Sequence, residues 1–211
     1  MKLYLSSYKI GNKTNELKKW LENSDNNNVA LISNSRDIYP DGEIKTTGIK
    51  NDAKELENLG FNVKYLDLRE YFEKKENLIK DLQDVKAFYI IGGNTFVLRK
   101  AMYLSGFDEL LLDYASDQSY LYAGYSAGIC VLCKDMKVLA MMDDPEADPY
   151  NSNMSPIYKG VGLVEEVLIP HYKSDHKETE VASKTVEFCK KNNIRYKALC
   201  DGDVMIKEII C

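Results

Sequence analysis

The pentapeptide G-Y-S-A-G at residues 124–128 is the feature that most restricts the fold of this chain. It lies between two apolar runs, residues 120–123 and 129–132. An apolar run, a G-x-S-x-G turn and a second apolar run predict a buried strand that turns sharply into a helix. Glycines are needed there because a side chain would clash with the neighbouring backbone. We therefore expect Ser126 to be an exposed nucleophile beside free helix N–H groups, although a serine that only caps the helix would give the same pattern.

Apolar runs that predict strands alternate with helical patterns along the chain. Strands are predicted at Lys2–Ser6, Val29–Ser33, Asn62–Asp67, Ala87–Ile91, Tyr120–Ala123, Lys137–Met142, Val164–Ile169, Tyr196–Cys200 and Val204–Ile209. Helices are predicted at Asn15–Leu21, Ile49–Leu59, Lys75–Leu82, Thr95–Tyr103, Phe107–Ser116, Ala127–Lys134 and Lys177–Lys191. The alternation predicts an α/β fold, in which a mostly parallel sheet is sandwiched by helices and ligands bind beyond the carboxyl ends of the strands. The length of 211 residues fits a single domain, 1–211.

The chain is acidic, with a net charge of -5 and a pI of about 5.2. No global field therefore attracts nucleic acid, and we expect no nucleic-acid partner. No apolar stretch approaches the roughly 20 residues that span a bilayer, and residues 1–5 predict a strand, not a signal peptide. We expect a monomer or homodimer with no membrane contact.

Cysteines occur at positions 130, 133, 189, 200 and 211, all in apolar surroundings. Residues 130–133 formally match C-x-x-C, but no second pair or neighbouring histidine accompanies them. Their helical spacing favours buried thiols over a redox or zinc site, so no metal is expected. The pattern predicts a reduced protein of the cytoplasm.

The longest irregular stretch runs from Asp143 to Gly160 and contains three prolines, Pro145, Pro149 and Pro156. Connections of this length are commonly functional or disordered. The stretch lies between Ser126 and the histidines, so it is expected to be either a lid or specificity loop or a plain surface excursion.

A serine hydroxyl needs a base to take its proton, and the chain has two histidines. His171 follows the apolar run 167–169 and a proline, which places it at the edge of the sheet. His176 lies in a polar segment that opens a helix. We expect His171 to be the base, because a packed strand fixes its imidazole.

The imidazole also needs a carboxylate on its other nitrogen. Asp201 and Asp203 come directly after a predicted strand, in C-D-G-D, and can approach a neighbouring loop. Asp143, Asp144 and Asp148 in the long irregular stretch compete with them. Spacing alone leaves this choice open.

Two backbone N–H groups are needed to stabilise an oxyanion. Ala127, directly after the serine, supplies one by elbow geometry. The G-G-N-T turn at residues 92–95 follows a strand and opens a helix, so Gly93 is expected to bring the second. Asn94 would cap that helix in either case. A phosphate cradle is the weaker alternative, because neither phosphate-binding glycine motif is present.

Three segments in this order, I-G-G-N-T-F at 91–96, G-Y-S-A-G at 124–128 and P-H-Y at 170–172, resemble the peptidase E family of serine peptidases, S51. That family includes aspartyl dipeptidase and cyanophycinase. The resemblance implies a class-I glutamine-amidotransferase-like, flavodoxin-like sandwich in which serine replaces the cysteine nucleophile of that superfamily. It implies these roles: nucleophile Ser126, base His171, oxyanion donors Gly93 and Ala127, and carboxylate Asp201.

One departure concerns specificity. Aspartyl dipeptidases carry an arginine in a G-E-T-R segment after the histidine, and it binds the aspartyl side chain. Here the matching segment is K-E-T-E, which puts Glu180 in place of the arginine. An acid would repel the substrate carboxylate, so aspartyl specificity is in doubt unless Lys173 or Lys177 compensates.

We therefore expect a serine peptidase that hydrolyses short peptides in a dipeptidase-like manner and needs no cofactor. Asn94, Tyr125 and Tyr172 are expected to contact the substrate. The same site would also suit an esterase or another acyl hydrolase, and a ligand-binding protein without catalysis is the alternative outside enzymes.

Overall fold

The computed structural model describes residues 1–209. The strands are β1 (Lys2–Ser6), β2 (Asn28–Ile32), β3 (Asn62–Leu66), β4 (Ala87–Ile90), β5 (Leu121–Tyr125), β6 (Val167–Ile169), β7 (Tyr196–Ala198) and β8 (Val204–Glu208). The main sheet has the order β3-β2-β4-β5-β1-β8, while β6 and β7 form a separate parallel pair. Neighbouring strands of the main sheet run parallel except β8, which is antiparallel to β1.

The α-helices are α1 (Thr14–Glu22), α2 (Glu43–Leu59), α3 (Lys75–Asp81), α4 (Thr95–Ser105), α5 (Phe107–Asp113), α6 (Ala127–Cys130) and α7 (Thr179–Lys191). Short 3-10 helices occupy Asn34–Arg36, Leu68–Tyr71 and Lys137–Met141. None of the helices within residues 1–209 combines the length and the apolar character needed to cross a lipid bilayer.

Strand β4 shows how the sheet is buried on both sides. Phe88 and Ile90 join a core that includes residues of α4 and α5, whereas Ala87 and Tyr89 join a core that includes residues of α1 and α2. Successive side chains of a strand point to opposite faces, so an uninterrupted apolar run is needed to fill both cores. The arrangement confirms the predicted α/β class with a mostly parallel sheet between helices.

The turn from β5 into α6 is packed directly against β4. A Cβ atom added to Gly124 or to Gly128 would overlap the carbonyl oxygen of Ile90. Both glycines of the G-x-S-x-G motif are therefore required by the close approach of two backbones.

Replacement of Gly128 by alanine is expected to lower the free energy of unfolding by about 1–3 kcal/mol or more, because the new methyl group meets rigid backbone of a central strand. Urea denaturation measures this change. Gly42→Ala is the control, since no atom lies within 4 Å of a Cβ at that position. An unfolding free energy for Gly128→Ala equal to that of the control would contradict the packing argument.

Two predicted elements are corrected by the structure. The expected strand Lys137–Met142 is a 3-10 helix, Lys137–Met141. The Asp135 carboxylate accepts a hydrogen bond from the Lys137 N–H at 2.9 Å, which starts a turn in place of an extended chain. The expected helix Ala127–Lys134 ends at Cys130, and Cys133 instead forms an isolated bridge with Val164.

The other predicted elements are present, most of them with shifted ends. Helix α2 begins at Glu43 instead of Ile49, and β6 begins at Val167 instead of Val164. Residues 143–160 are irregular as predicted, apart from a bridge at Lys159. The apolar environment predicted for Cys211 falls outside the described residues.

Candidate active site

Ser126 lies between the carboxyl end of β5 and the first residue of α6. Its φ of 50° and ψ of -118° are unfavourable for a residue with a side chain. Such a conformation costs on the order of 1–3 kcal/mol and persists only where the surroundings enforce it. Here the Ser126 N–H donates to the Ser7 carbonyl at 3.2 Å, and the serine lines a surface cavity.

His171 lies directly after β6 and Pro170, also in a left-handed conformation, with φ of 61°. Its Nε2 is 3.2 Å from Ser126 Oγ, and its Nδ1 is 2.8 Å from Asp201 Oδ1. A carboxylate can only accept, so Nδ1 carries the proton and the Nε2 lone pair faces the serine. Burial is the largest influence on the His171 pKa and lowers it below the usual value, against the opposing effect of Asp201. The geometry gives Ser126 a neutral imidazole as its neighbour.

His176 does not compete for the position beside the serine. Its ring stacks on that of His171 with centroids 3.7 Å apart, and its Nδ1 accepts the Glu178 N–H at 3.2 Å. Of the two histidines, His171 is the one within hydrogen-bond distance of Ser126.

Asp201 lies in the turn that follows β7. Besides His171, its Oδ1 accepts a hydrogen bond from the Ser7 hydroxyl at 2.9 Å. Asp203 instead accepts the Cys200 N–H at 3.0 Å and closes the same turn. The Asp201 side chain therefore reaches the imidazole.

The three aspartates of the irregular stretch have other partners. Asp143 accepts the Thr95 N–H at 2.9 Å, and Asp144 accepts the Glu146 N–H at 3.0 Å. Asp148 forms an ion pair with Lys100 at 3.1 Å. Of the five aspartates considered from sequence, Asp201 is the one placed on His171.

Ser7 links the three segments that carry these side chains. Its carbonyl accepts from the Ser126 N–H, and its hydroxyl oxygen accepts from the His171 N–H at 2.9 Å. The same hydroxyl lies within donating distance of Asp201 and of the Leu199 carbonyl. Ser7 therefore positions Ser126, His171 and Asp201 relative to one another.

The expected oxyanion donors flank the serine. Ala127 is the first residue of α6, so its N–H has no carbonyl one turn earlier in the helix. Gly93 lines the cavity, and Gly92 packs so closely on Ser126 that a Cβ there would lie 2.9 Å from the serine Cβ. The 92–93 turn therefore lies beside the serine.

The cavity beside Ser126 has a volume of about 240 Å³. Its wall includes aromatic, cationic and acidic side chains together with the glycine turn: Tyr8, Lys9, Arg36, Tyr39, Gly92, Gly93, Tyr125, Ser126, Asp143, His171, His176, Lys177 and Glu178. The cavity thus contains charges of both signs next to the serine.

One wall carries a charge network around Asp52, whose side chain is fully buried. Asp52 pairs with Lys9 at 2.6 Å and with Arg36 at 3.0 Å. The Tyr125 hydroxyl lies 2.7 Å from Arg36 Nη2 and 3.1 Å from Asp52 Oδ2. Two cations share this buried carboxylate, and the Glu55 carboxylate also interacts with Lys9 and Asp52.

Asp143 and Glu178 supply negative charge to the cavity. Burial raises the pKa of Asp143 to about 6, and the negative charge of Glu178 adds to this effect while hydrogen bonds from Thr95 oppose it. The Glu178 carboxylate lies 3.9 Å from His171 Nε2 and 3.8 Å from Lys177 Nζ. A substrate ammonium group would find acceptors on this side.

Two of the three side chains expected to contact the substrate do not line the cavity. Asn94 caps α4 by accepting the Phe96 and Val97 N–H groups at 2.9 Å, so its side chain is occupied and does not line the cavity. Tyr172 packs against the core instead of the cavity wall. Of the three tyrosine and asparagine candidates, Tyr125 is the one that lines the cavity.

Glu180 also lies away from the cavity. It is exposed on α7 and pairs with Lys184 at 2.7 Å, so it does not repel a substrate carboxylate as its sequence position suggested. Lys173 lies over the Tyr172 ring and does not line the cavity, whereas Lys177 does.

Sequence reasoning missed Ser7, Tyr8, Lys9, Arg36 and Asp52. The first three follow β1 directly, and Arg36 ends the short 3-10 helix that follows β2. The positions of these four residues could have been predicted, since residues after the carboxyl ends of parallel strands converge on one edge of a sheet. Asp52, within helix α2, gave no such signal.

The cysteines are free thiols at all four described positions, and Cys130 and Cys133 are buried, as predicted. Burial raises the pKa of Cys133 to about 12 and that of Cys130 well above its usual value. These thiols are therefore poor nucleophiles, and neither of them lines the cavity.

The fold and the site together define an α/β protein with a serine–histidine–aspartate arrangement at one edge of a parallel sheet. The chain belongs to peptidase family S51, whose sequence model matches residues 15–207. This confirms the family resemblance seen in the sequence.

Related proteins were found by sequence and by structure. Over 126 residues, the chain is 31% identical to an uncharacterized peptidase of Listeria innocua and 30% identical to one of Listeria monocytogenes. These segments cover 60% of this chain but 57% and 58% of the two relatives, which is less than two thirds of their length.

Two crystal structures share the fold. A candidate peptidase E of Listeria monocytogenes EGD-e superposes with a TM-score of 0.76 at 22% identity over 98% of both chains. A peptidase from an acI-B1 Actinobacterium superposes with a TM-score of 0.66 at 15% identity, over 98% of this chain and 83% of that one.

Proposed function

We propose that this protein is a serine peptidase that hydrolyses short peptides. The observation that carries the proposal is the continuous chain from Ser126 Oγ through the His171 imidazole to Asp201, with distances of 3.2 and 2.8 Å. Membership of family S51 supports the same reaction class.

In the proposed reaction, Ser126 Oγ attacks the scissile carbonyl while His171 Nε2 takes the hydroxyl proton. Asp201 holds the imidazole and stabilises its charged form. The N–H groups of Gly93 and Ala127 stabilise the tetrahedral oxyanion. His171 then delivers the proton to the leaving amine, and water, activated by the same imidazole, releases the acyl group from Ser126. No step of this sequence requires a metal or an organic cofactor.

The charges of the cavity support a short, zwitterionic substrate. Lys9 and Arg36 offer positive charge on one wall, while Asp143 and Glu178 offer negative charge on another. A volume of about 240 Å³ lies below the roughly 300–1,000 Å³ of drug-sized sites, so the cavity fits one or two side chains. Acidic side chains belong among the proposed substrates, because Lys9 and Arg36 line the cavity and offer them positive charge.

The free thiols also support the proposed location. Disulfides are rare in the reducing cytoplasm, and Cys130, Cys133, Cys189 and Cys200 are all unpaired. We propose the cytoplasm as the compartment of this peptidase.

A dipeptide library with free and N-acetylated members tests the substrate class. Free dipeptides are expected to be cleaved about 10- to 100-fold faster than their acetylated forms, because hydrogen bonds to charged groups contribute about 1.5–3 kcal/mol. Acetylation removes the ammonium that Glu178 and Asp143 would bind. Equal rates for both sets would contradict this binding mode.

A fluorophosphonate probe and matched esters test the reaction class. The probe is expected to label Ser126, as located by peptide mass spectrometry. Hydrolysis of esters without any hydrolysis of amides would assign the site to an esterase. Absence of labelling would favour a ligand-binding protein instead.

A further inference from the structure

The second histidine and the glutamate of the cavity form a cluster with the base. His171, His176 and Glu178 each offer one ligand atom, and these atoms lie within 4.8 Å of one another. Two imidazoles and one carboxylate are the ligand set of many three-residue zinc sites. The proposed peptide hydrolysis gives His176 no role and uses Glu178 only to bind the substrate ammonium, so the grouping of both with the base needs a separate explanation.

The partners of these side chains suit metal binding. A metal-ligating histidine commonly donates its other ring N–H to a carboxylate, which fixes the ring and its tautomer. Asp201 already does this for His171 at 2.8 Å. The Nδ1 of His176 accepts the Glu178 N–H, which leaves the ring proton on Nε2. Metal binding through Nε2 therefore requires this hydrogen bond to break and the ring proton to leave Nε2.

A modest rearrangement completes the site. Zinc bonds of about 2.0–2.1 Å in tetrahedral geometry require ligand atoms about 3.3 Å apart. Glu178 is already 3.9 Å from His171 Nε2. The two imidazole rings are nearly parallel, at 12°, so His176 must rotate for its lone pair to point at the same metal. His176 and Glu178 are only partly buried, which leaves them room to move.

We propose that His171, His176 and Glu178 bind a zinc ion that inhibits the enzyme. The metal takes the same Nε2 lone pair of His171 that accepts the proton of Ser126, so bound zinc and catalysis exclude each other. This inference rests on the proposed function for its inhibitory effect, but not for metal binding itself. Magnesium and calcium prefer oxygen ligands and do not compete for two imidazoles.

Isothermal titration calorimetry with zinc chloride on the chelator-treated full chain tests binding directly. One site is expected in the wild-type chain and in Ser126→Ala, which keeps all three ligands. His176→Ala and Glu178→Gln are each expected to weaken binding at least about 10-fold, since even the loss of a group outside the ligand shell costs about 10- to 100-fold. Cys200→Ser controls for zinc on the partly exposed thiol and is expected to bind as wild type.

Two binding results overturn the proposal. One is the absence of binding at zinc concentrations up to about 1 mM, which corresponds to about 4 kcal/mol of binding free energy. The other is binding that His176→Ala and Glu178→Gln leave unchanged. Because Ser126→Ala is part of the series, this experiment decides the metal site even if no peptide is hydrolysed.

The kinetic effect is measured on the wild-type enzyme and on each variant relative to its own zinc-free rate. Zinc is expected to inhibit dipeptide hydrolysis and a chelator to restore it, while magnesium has no effect. The inhibition constant is expected to rise at least about 10-fold in His176→Ala. Activation by zinc, or loss of activity with a chelator, would overturn the inhibitory role.

Discussion

Replacement of Ser126 by alanine is expected to lower kcat/KM for a cleaved dipeptide by about 10⁴-fold or more. The variant keeps the oxyanion donors and the binding cavity but has no oxygen to attack the carbonyl. In serine peptidases that lack a member of the triad, the residual catalysis comes from these remaining features. Binding of the substrate is expected to change little, because the hydroxyl acts in the transition state.

The matched control is Ser183→Ala, which removes a hydroxyl that only donates to the Thr179 carbonyl within α7. Its rate is expected to stay within about 2-fold of wild type, as for substitutions far from the reacting atoms. Circular dichroism and a thermal melt of Ser126→Ala check that the fold is retained. A folded Ser126→Ala enzyme with the wild-type rate would rule out Ser126 as the nucleophile.

The sequence predicted the structure best where a local pattern is compatible with only one backbone conformation. The glycines at 124 and 128 predicted a strand–turn–helix junction, and the structure shows that both are required by the carbonyl of Ile90. His171 was placed at a sheet edge because an apolar run and a proline precede it. Such inferences succeed because the end of a strand locates a side chain without knowledge of its distant neighbours.

Sequence reasoning was least effective where the partner lies far along the chain. Ser7 contacts the backbone or side chains of three segments more than 100 residues away in sequence, and no spacing rule brings these together. Asp52 binds Lys9 and Arg36 only because α2 packs beside the ends of β1 and β2. These contacts depend on tertiary packing.

The start of helix α7 explains why the position expected for Glu180 differs from the one observed. Glu180 matches the family arginine by alignment of a short segment, but α7 points it to solvent beside Lys184. Glu178, two residues earlier, faces the cavity instead. Glu178 precedes α7 and Glu180 lies in its first turn, so the two side chains point in different directions and the acid at the cavity is Glu178.

Replacement of Asp201 by asparagine is expected to lower kcat/KM by up to about 10⁴-fold, as for the equivalent change in a serine peptidase triad. The amide of asparagine can donate to His171 Nδ1, which moves the ring proton to Nε2. The nitrogen that faces Ser126 at 3.2 Å would then be a donor and could not take the serine proton. The side-chain volume is nearly unchanged, so the loss of activity would result from the changed tautomer of His171 and from the lost charge of Asp201.

Asp203→Asn is the matched control for this change, since it removes the same charge from the same turn. Asp203 accepts the Cys200 N–H, a bond that the asparagine carbonyl can still accept, and it does not contact His171. Its kcat/KM is expected to stay within about 3-fold of wild type, as for a surface charge outside the reacting groups. Stopped assays on the same dipeptide, with thermal melts of both variants, make the comparison. Similar losses in the two variants, or a larger loss for Asp203→Asn, would contradict the role proposed for Asp201. Another carboxylate would then have to orient the His171 imidazole.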